Sequence, residues 1–310
     1  MSRIHEALKK AAQERDAQTA TRSVSDLVDL STAEVATETP RRVEVKLAAD
    51  FVPTQKIDPN ACKFADFAKR CQPGNWKMEQ NASIFSSQAE HQSGAEKFRT
   101  LRSRLYQIAT AQPLKKIVVT SSTPAEGKTF VAANLAQTFT RQTDRRVLLI
   151  DSDLRASRLH LHLGAREKPG LSDYLRGDCD EFRITQVGAG GNLFLIPGGS
   201  DVTNPSELLH SERMRQLLDL MSELFDWIIL DSPPALAVHD ASILADMCDG
   251  VLFVVRAGST DYELAAKASA EFHEKNLLGV VLNRVDRSDG YGEYYYGYEP
   301  GRKSGQNREQ

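Results

Sequence analysis

Ile117-Val-Val-Thr-Ser-Ser122-Thr-Pro124-Ala125-Glu126-Gly127-Lys128-Thr129-Phe130 is the stretch that decides the fold. The apolar run Ile117-Val-Val119 reads as a strand, and it enters a loop that ends in Gly-Lys-Thr. A helix is expected from Lys128 to Arg141, with Val131, Leu135 and Phe139 turned inward. A phosphate loop needs this order. Exposed backbone N–H groups cradle phosphate, a lysine reaches the β/γ-phosphates, a hydroxyl serves Mg²⁺, and the helix N-terminus favours negative charge. Gly127, Lys128 and Thr129 supply the end of the pattern. Pro124, Ala125 and Glu126 form its body, with Phe130 behind. Ser122 stands where the usual pattern has its first glycine. A chance Gly-Lys-Thr turn is the plain alternative, and the strand before and helix after argue against it.

Working outward, short apolar strands alternate with helices. Strands are expected at Val147-Leu-Leu-Ile150, Leu193-Phe-Leu-Ile196, Trp227-Ile-Ile-Leu230, Val251-Leu-Phe-Val-Val255 and Val280-Val-Leu282. Helices are expected at Ala95 to Ala109, Glu207 to Phe225 and Asp261 to Lys275. Continuously apolar strands separated by helices indicate an α/β fold: a mostly parallel sheet with helices on both faces, of the P-loop NTPase kind. Ligands in such sheets bind beyond the carboxyl ends of the strands.

Two acidic segments lie there. Asp151-Ser-Asp153-Leu-Arg155 follows one strand and Asp231-Ser-Pro-Pro234 follows another. Alone, each carboxylate reads as an ordinary strand terminator. Beside a phosphate loop, Asp151, Asp153 and Asp231 become candidates for binding Mg²⁺ with Thr129, and one of them can accept a proton. Asp151 is the first choice for the proton, with Asp153 able to exchange roles. Arg155 is expected to assist a phosphate or fix the loop. Asn283, at the last strand end, is a candidate to read the adenine edge, although strand-end Asn also makes ordinary turns. Five of the eight tyrosines, Tyr291, Tyr294, Tyr295, Tyr296 and Tyr298, crowd into a Gly-interrupted tail. Loop, acids and phenols together suggest phosphoryl transfer from ATP to tyrosine, with the chain's own end as a substrate.

Composition bounds the alternatives. A net charge of −3 argues against nucleic acid as the main partner. The four cysteines, Cys62, Cys71, Cys179 and Cys248, form no CxxC pair. They therefore suggest neither zinc nor dithiol chemistry. His160 and His162 have no acidic or thiol cluster around them and read as surface or packing residues. No secretory signal is visible, and no run approaches the roughly 20 apolar residues that span a bilayer. Three segments are expected: residues 1–85 as an N-terminal extension, 86–288 as the P-loop domain, and 289–310 as a flexible tail. Within the first, Ser2 to Arg15 reads as a short helix with Ile4, Ala7, Leu8 and Ala11 on one stripe, and Ala17 to Ala49 as a polar linker.

Together these motifs resemble the bacterial tyrosine kinases (BY-kinases) that accompany polysaccharide export. Ser122 to Thr129 matches their Walker A loop, Leu148-Leu-Ile-Asp151-Ser-Asp153 their Walker A′ motif, and Ile228 to Pro234 their Walker B motif. The tail matches their tyrosine cluster. Glu96-Lys-Phe-Arg99-Thr-Leu-Arg102 looks like the family's Glu-x-x-Arg-x-x-Arg helix, whose Glu96, Arg99 and Arg102 would make subunit contacts. The resemblance covers about residues 85 to 300. It implies ATP and Mg²⁺ as cofactors, and self-association into a ring with phosphorylation of a neighbour's tail. Many relatives carry a fused transmembrane activator, and none is visible here. The resemblance therefore implies a cytoplasmic kinase recruited to the membrane's inner face by a separate Wzz-like activator, with a tyrosine phosphatase as counterpart.

Two rivals stand beside it. A partition-type P-loop ATPase would carry a signature lysine where this chain has Thr123, and glycines where it has Pro124 and Ala125. A nucleotide-gated adaptor of an export complex would need ATP binding but no catalytic residues.

Overall fold

The computed structural model describes residues 61–74, 76, 83–84, 92–142 and 144–285. The expected helix at Ser2 to Arg15, the linker at Ala17 to Ala49 and the tyrosine tail lie outside the described residues. Eight strands form one sheet: β1 (Gln72–Pro73), β2 (Lys116–Ser121), β3 (Val147–Asp151), β4 (Gln186–Val187), β5 (Leu193–Ile196), β6 (Trp227–Asp231), β7 (Gly250–Arg256) and β8 (Leu277–Asn283). Their order is β1-β4-β5-β3-β6-β2-β7-β8. Every pair is parallel except β4 with β5. Every residue of β3 and β6 is buried, which is why neither shows polar alternation: helices cover both faces of the sheet.

The helices are α1 (Ala61–Arg70), α2 (Gln92–Ala111), α3 (Lys128–Thr140), α4 (Leu159–Leu163), α5 (Leu171–Arg176), α6 (Glu181–Ile184), α7 (Pro205–Leu209), α8 (Glu212–Leu224), α9 (Asp240–Ala245) and α10 (Tyr262–Ala270). α3, which leaves the phosphate loop, is buried all round from Val131 to Phe139. The inward set Val131, Leu135 and Phe139 meets the sheet, while α2 and residues 83–84 cover the rest. Ile84 donates its N–H to Asn134 Oδ1 at 2.9 Å, and the Ser83 hydroxyl bonds Gln137 Oε1 at 2.8 Å. Phe139 stacks on Trp227 at 4.2 Å, and Tyr106 of α2 meets both rings edge-on.

Two expectations differ from this architecture. The helix expected from Glu207 to Phe225 is two helices. Ser211 ends α7 by donating its hydroxyl to Leu208 O, and it caps α8 by accepting from Met214 N. The boundary expected at residue 86 also excludes α1 and β1, which belong to the packed body. Phe64 and Phe67 sit edge-on to Phe225, Phe64 also meets Phe194, and β1 extends the sheet beside β4. Burying Phe67 is worth about 3–5 kcal/mol relative to alanine, and together with Phe64 it fastens this ten-residue helix to the sheet.

Candidate nucleotide and phosphoryl-transfer site

β3, β6 and β2 are neighbours, so their carboxyl ends form one ledge. Asp151 is in register with Asp231, and Asp231 with Val119 of β2. Ser152 N donates to Asp231 O (2.8 Å) and Ser232 N to Val119 O (3.1 Å), continuing the ladder past the strand ends. Three segments distant in sequence thus meet where the parallel sheet exposes its ligand-binding edge.

The phosphate loop is held open by its own side chains. Ala125 (φ 67°) and Gly127 (φ 96°) both take left-handed backbone conformations. Alternation of this kind turns successive N–H groups into an anion-binding nest. A Cβ on Gly127 would lie 2.0 Å from Asn283 Nδ2, so glycine is required by conformation and by space. Glu126 is almost fully buried. It accepts from Thr123 N (2.8 Å) and from the Thr260 hydroxyl in the β7–α10 loop. Asn283 donates its Nδ2 to Glu126 O at 2.9 Å, so it bonds the phosphate loop itself. Pro124 and Ala125 lie exposed at the crest. Phe130 packs edge-on to Phe98 of α2, with centroids 6.2 Å apart.

The carboxylates take different roles. Lys128 Nζ lies 3.1 Å from Asp153 Oδ2. Burial pushes the Lys128 pKa down, and the charges of Asp231, Asp153 and Asp151 more than reverse this, so it stays raised and the ammonium protonated. Asp231 is buried and accepts from the Thr129 hydroxyl. Burial, with the added repulsion of Asp151 and Asp153, pushes its pKa up to about 8 against the pull of Lys128. Its Oδ1 is fully enclosed and has no hydrogen-bond partner. The buried hydroxyls of Ser122 and Ser152 have none either. An unpartnered buried carboxylate oxygen is costly unless a cation or water meets it. Thr129 and Asp231 therefore fit a Mg²⁺ that takes one or two protein oxygens and completes its shell from phosphate and water. Among the described residues, no group of three or more His, Cys, Asp or Glu side chains is arranged to hold a metal by itself.

Asp151, first choice as the proton acceptor, is placed otherwise. Its Oδ2 accepts from Ser157 Oγ (2.7 Å), Arg158 N (3.0 Å) and Leu159 N (3.0 Å), and its Oδ1 from Asp153 N (3.2 Å). With both oxygens committed, it holds the loop that follows β3. Burial still raises its pKa, against these bonds. Asp153 is the acid that faces Lys128. Arg155 turns from the phosphate loop to the buried Asp240, Nε to Oδ2 at 2.9 Å, so its contacts are those of a loop brace. Glu96 and Arg99 pair at 2.8 Å on the exposed side of α2. Arg102, expected beside them at a subunit contact, turns inward and donates Nη1 to Thr138 O at 2.7 Å, capping the last turn of α3. Sequence reasoning missed Thr260, Ser157, Ser206 and Asp240. The last sits at the start of α9, nine residues beyond Asp231, and no periodicity marks it.

The family model of the CobQ/CobB/MinD/ParA nucleotide binding domain matches residues 117–303. The tyrosine-protein kinase YwqD of Bacillus subtilis (strain 168) is 35% identical over 207 residues, 66% of this chain and 86% of that protein. The tyrosine-protein kinase wzc of Salmonella typhimurium is 38% identical over 208 residues, again 66% of this chain but only 29% of that protein, so the chain spans under a third of this longer relative. The kinase domain of the Escherichia coli tyrosine kinase ETK superposes with a TM-score of 0.59 at 32% identity, covering 63% of this chain and 78% of the other. No helix among the described residues is long and apolar enough to cross a membrane.

Proposed function

We propose that this chain, which belongs to the CobQ/CobB/MinD/ParA nucleotide-binding family and within it to the bacterial tyrosine-protein kinases, transfers the γ-phosphoryl group of ATP to tyrosine. The observation that carries this is the meeting of Lys128 and Asp153 at 3.1 Å beside the enclosed, unpartnered oxygen of Asp231. A lysine, a metal-competent acid and a second acid share one ledge below a preformed anion nest. Phosphoryl transfer asks for little more than positioning and charge neutralisation.

The loop N–H groups around Gly127 hold the phosphates, and Lys128 turns from Asp153 to the γ-phosphoryl oxygens. That movement frees Asp153 to take the phenolic proton. The tyrosine oxygen bonds to the γ-phosphorus as the bond to the β-phosphate oxygen breaks, and ADP leaves. Thr129 and Asp231 would hold Mg²⁺, which when bound neutralises phosphate charge. Asp151 keeps the β3 loop in place, and Asn283 fixes the phosphate loop from the side of β8.

The acceptors are Tyr291, Tyr294, Tyr295, Tyr296 and Tyr298 of a neighbouring copy. Glu96 and Arg99 contribute to the contact between copies. Each phosphate adds about −1.5 to −2 charge, so phosphorylated tails repel and the assembly loosens, which couples the kinase to polysaccharide polymerisation and export. Recruitment to the inner face of the membrane rests on a Wzz-like activator, and a tyrosine phosphatase reverses the reaction. The test is incubation with γ-labelled ATP and Mg²⁺, with a soluble activator fragment included, followed by mapping of the label. Phosphotyrosine in 291–298 supports the kinase. Free phosphate alone would instead indicate a partition-type ATPase, and intact bound ATP an adaptor.

A further inference from the structure

We infer that Asp240 and Ser206 are positioning residues of the phosphoryl-transfer site, acting through Arg155. This rests on the kinase reading above and deepens it. Asp240 is a fully buried carboxylate with no part in the chemistry. Its Oδ2 receives Arg155 Nε at 2.9 Å and its Oδ1 receives the Ser206 hydroxyl. Ser206 Oγ in turn accepts Arg155 Nη2 at 2.9 Å, and the same Nη2 lies 3.4 Å from Asp240 Oδ1. A charge removed from water this completely is retained only when paired and hydrogen-bonded, and this one is both.

The topology shows what the pair does. Arg155 sits in the loop after β3, two residues past Asp153. Asp240 begins α9, the element reached from β6 through Asp231-Ser-Pro-Pro234. Ser206 lies on α7, which packs beside α9 and α5. The ion pair therefore joins the outer ends of the two segments whose inner ends carry Asp153 and Asp231. Asp151 pins the base of the first segment through Asp153 N, Arg158 N and Leu159 N. Between those points the chain is held by the turn closed by Ala156 N on Asp153 O and Oδ1 and by the Ser157 hydroxyl on Asp151 Oδ2. Arg155 is the tie across its crest, and it sets the place of Asp153 relative to Asp231 before nucleotide enters.

The test uses the full chain as Asp240→Asn and as Ser206→Ala. Amide exchange is followed without nucleotide, then binding of a non-hydrolysable ATP analogue, then transfer of label to tyrosine. In Asp240→Asn, the amides of Asp153, Ala156 and Arg158 should exchange about tenfold faster, the scale of one lost charge-assisted hydrogen bond. Analogue affinity should stay within about twofold, while kcat falls by about 10²-fold, as for a small misplacement of a reacting group. Ser206→Ala, which leaves the ion pair intact, should shift exchange and kcat the same way by less; it decides the matter if Asp240→Asn folds poorly. Unchanged exchange, or analogue affinity falling in parallel with kcat, overturns the proposal. If the unaltered chain itself transfers no label, the kinase reading fails, and the exchange result still reports on the tie.

Discussion

Replacing Asp231 with asparagine should stabilise the nucleotide-free protein, and by an amount that grows with pH. In the unfolded chain this carboxyl ionises near the ordinary aspartate value of about 4. In the folded chain, burial above all, with Asp151 and Asp153 nearby, holds the proton until about pH 8. Between those values the folded state binds more protons than the unfolded one. Stability is then fully present below the lower value and is lost as pH rises, at up to about 1.4 kcal/mol per pH unit. Asparagine has no such proton. The advantage of Asp231→Asn over the natural chain should widen by about 2 kcal/mol from pH 5 to pH 6.5 and level off above pH 8. Any constant effect of the new amide cancels in that difference. Urea unfolding in a chelator, without nucleotide, measures it. A gap that stays flat, or narrows as pH rises, would refute the claim that Asp231 is a desolvated acid whose Oδ1 awaits a cation.

Three further outcomes follow from the same geometry. Phe67→Ala should lower the unfolding free energy by about 3–5 kcal/mol, because Phe67 locks α1 onto Phe225; urea titration reads this. Gly127→Ala must hold a left-handed conformation and push Asn283 from the phosphate loop. Its affinity for ATP should fall by about 5- to 150-fold in calorimetry, since strain of this kind costs about 1–3 kcal/mol. Lys128→Ala should reduce label transfer by about 10²–10³-fold, the usual cost of one preorganised charge donor.

The parallel sheet was legible because its strands are uninterrupted apolar runs, and the three site segments because each directly follows one. What escaped was whatever depends on partners distant in sequence. α1 has Phe64 and Phe67 on one side, but nothing local says that Phe194 and Phe225 are waiting for them. β1 and β4 are two residues each, too short for any periodicity. The break at Ser211 lies inside an apolar stripe that continues across it. Within the site, spacing identified Asp151 and Asp153 equally. Only the surroundings separate them, because Ser157, Arg158 and Leu159 occupy Asp151 and leave Asp153 to Lys128. Arg102 shares a helix repeat with Glu96 and Arg99, yet one step in that repeat turned it toward the end of α3.

The most direct measurement mixes two copies of the chain. One carries Lys128→Ala and an intact tail; the other has an unaltered site and is cut before Tyr291. With γ-labelled ATP, Mg²⁺ and the activator fragment, phosphotyrosine should accumulate on the Lys128→Ala copy, and neither protein alone should become labelled. Label released only as free phosphate, or none on the Lys128→Ala copy while the unaltered full chain labels itself, would contradict transfer from this site to a neighbour's tyrosines.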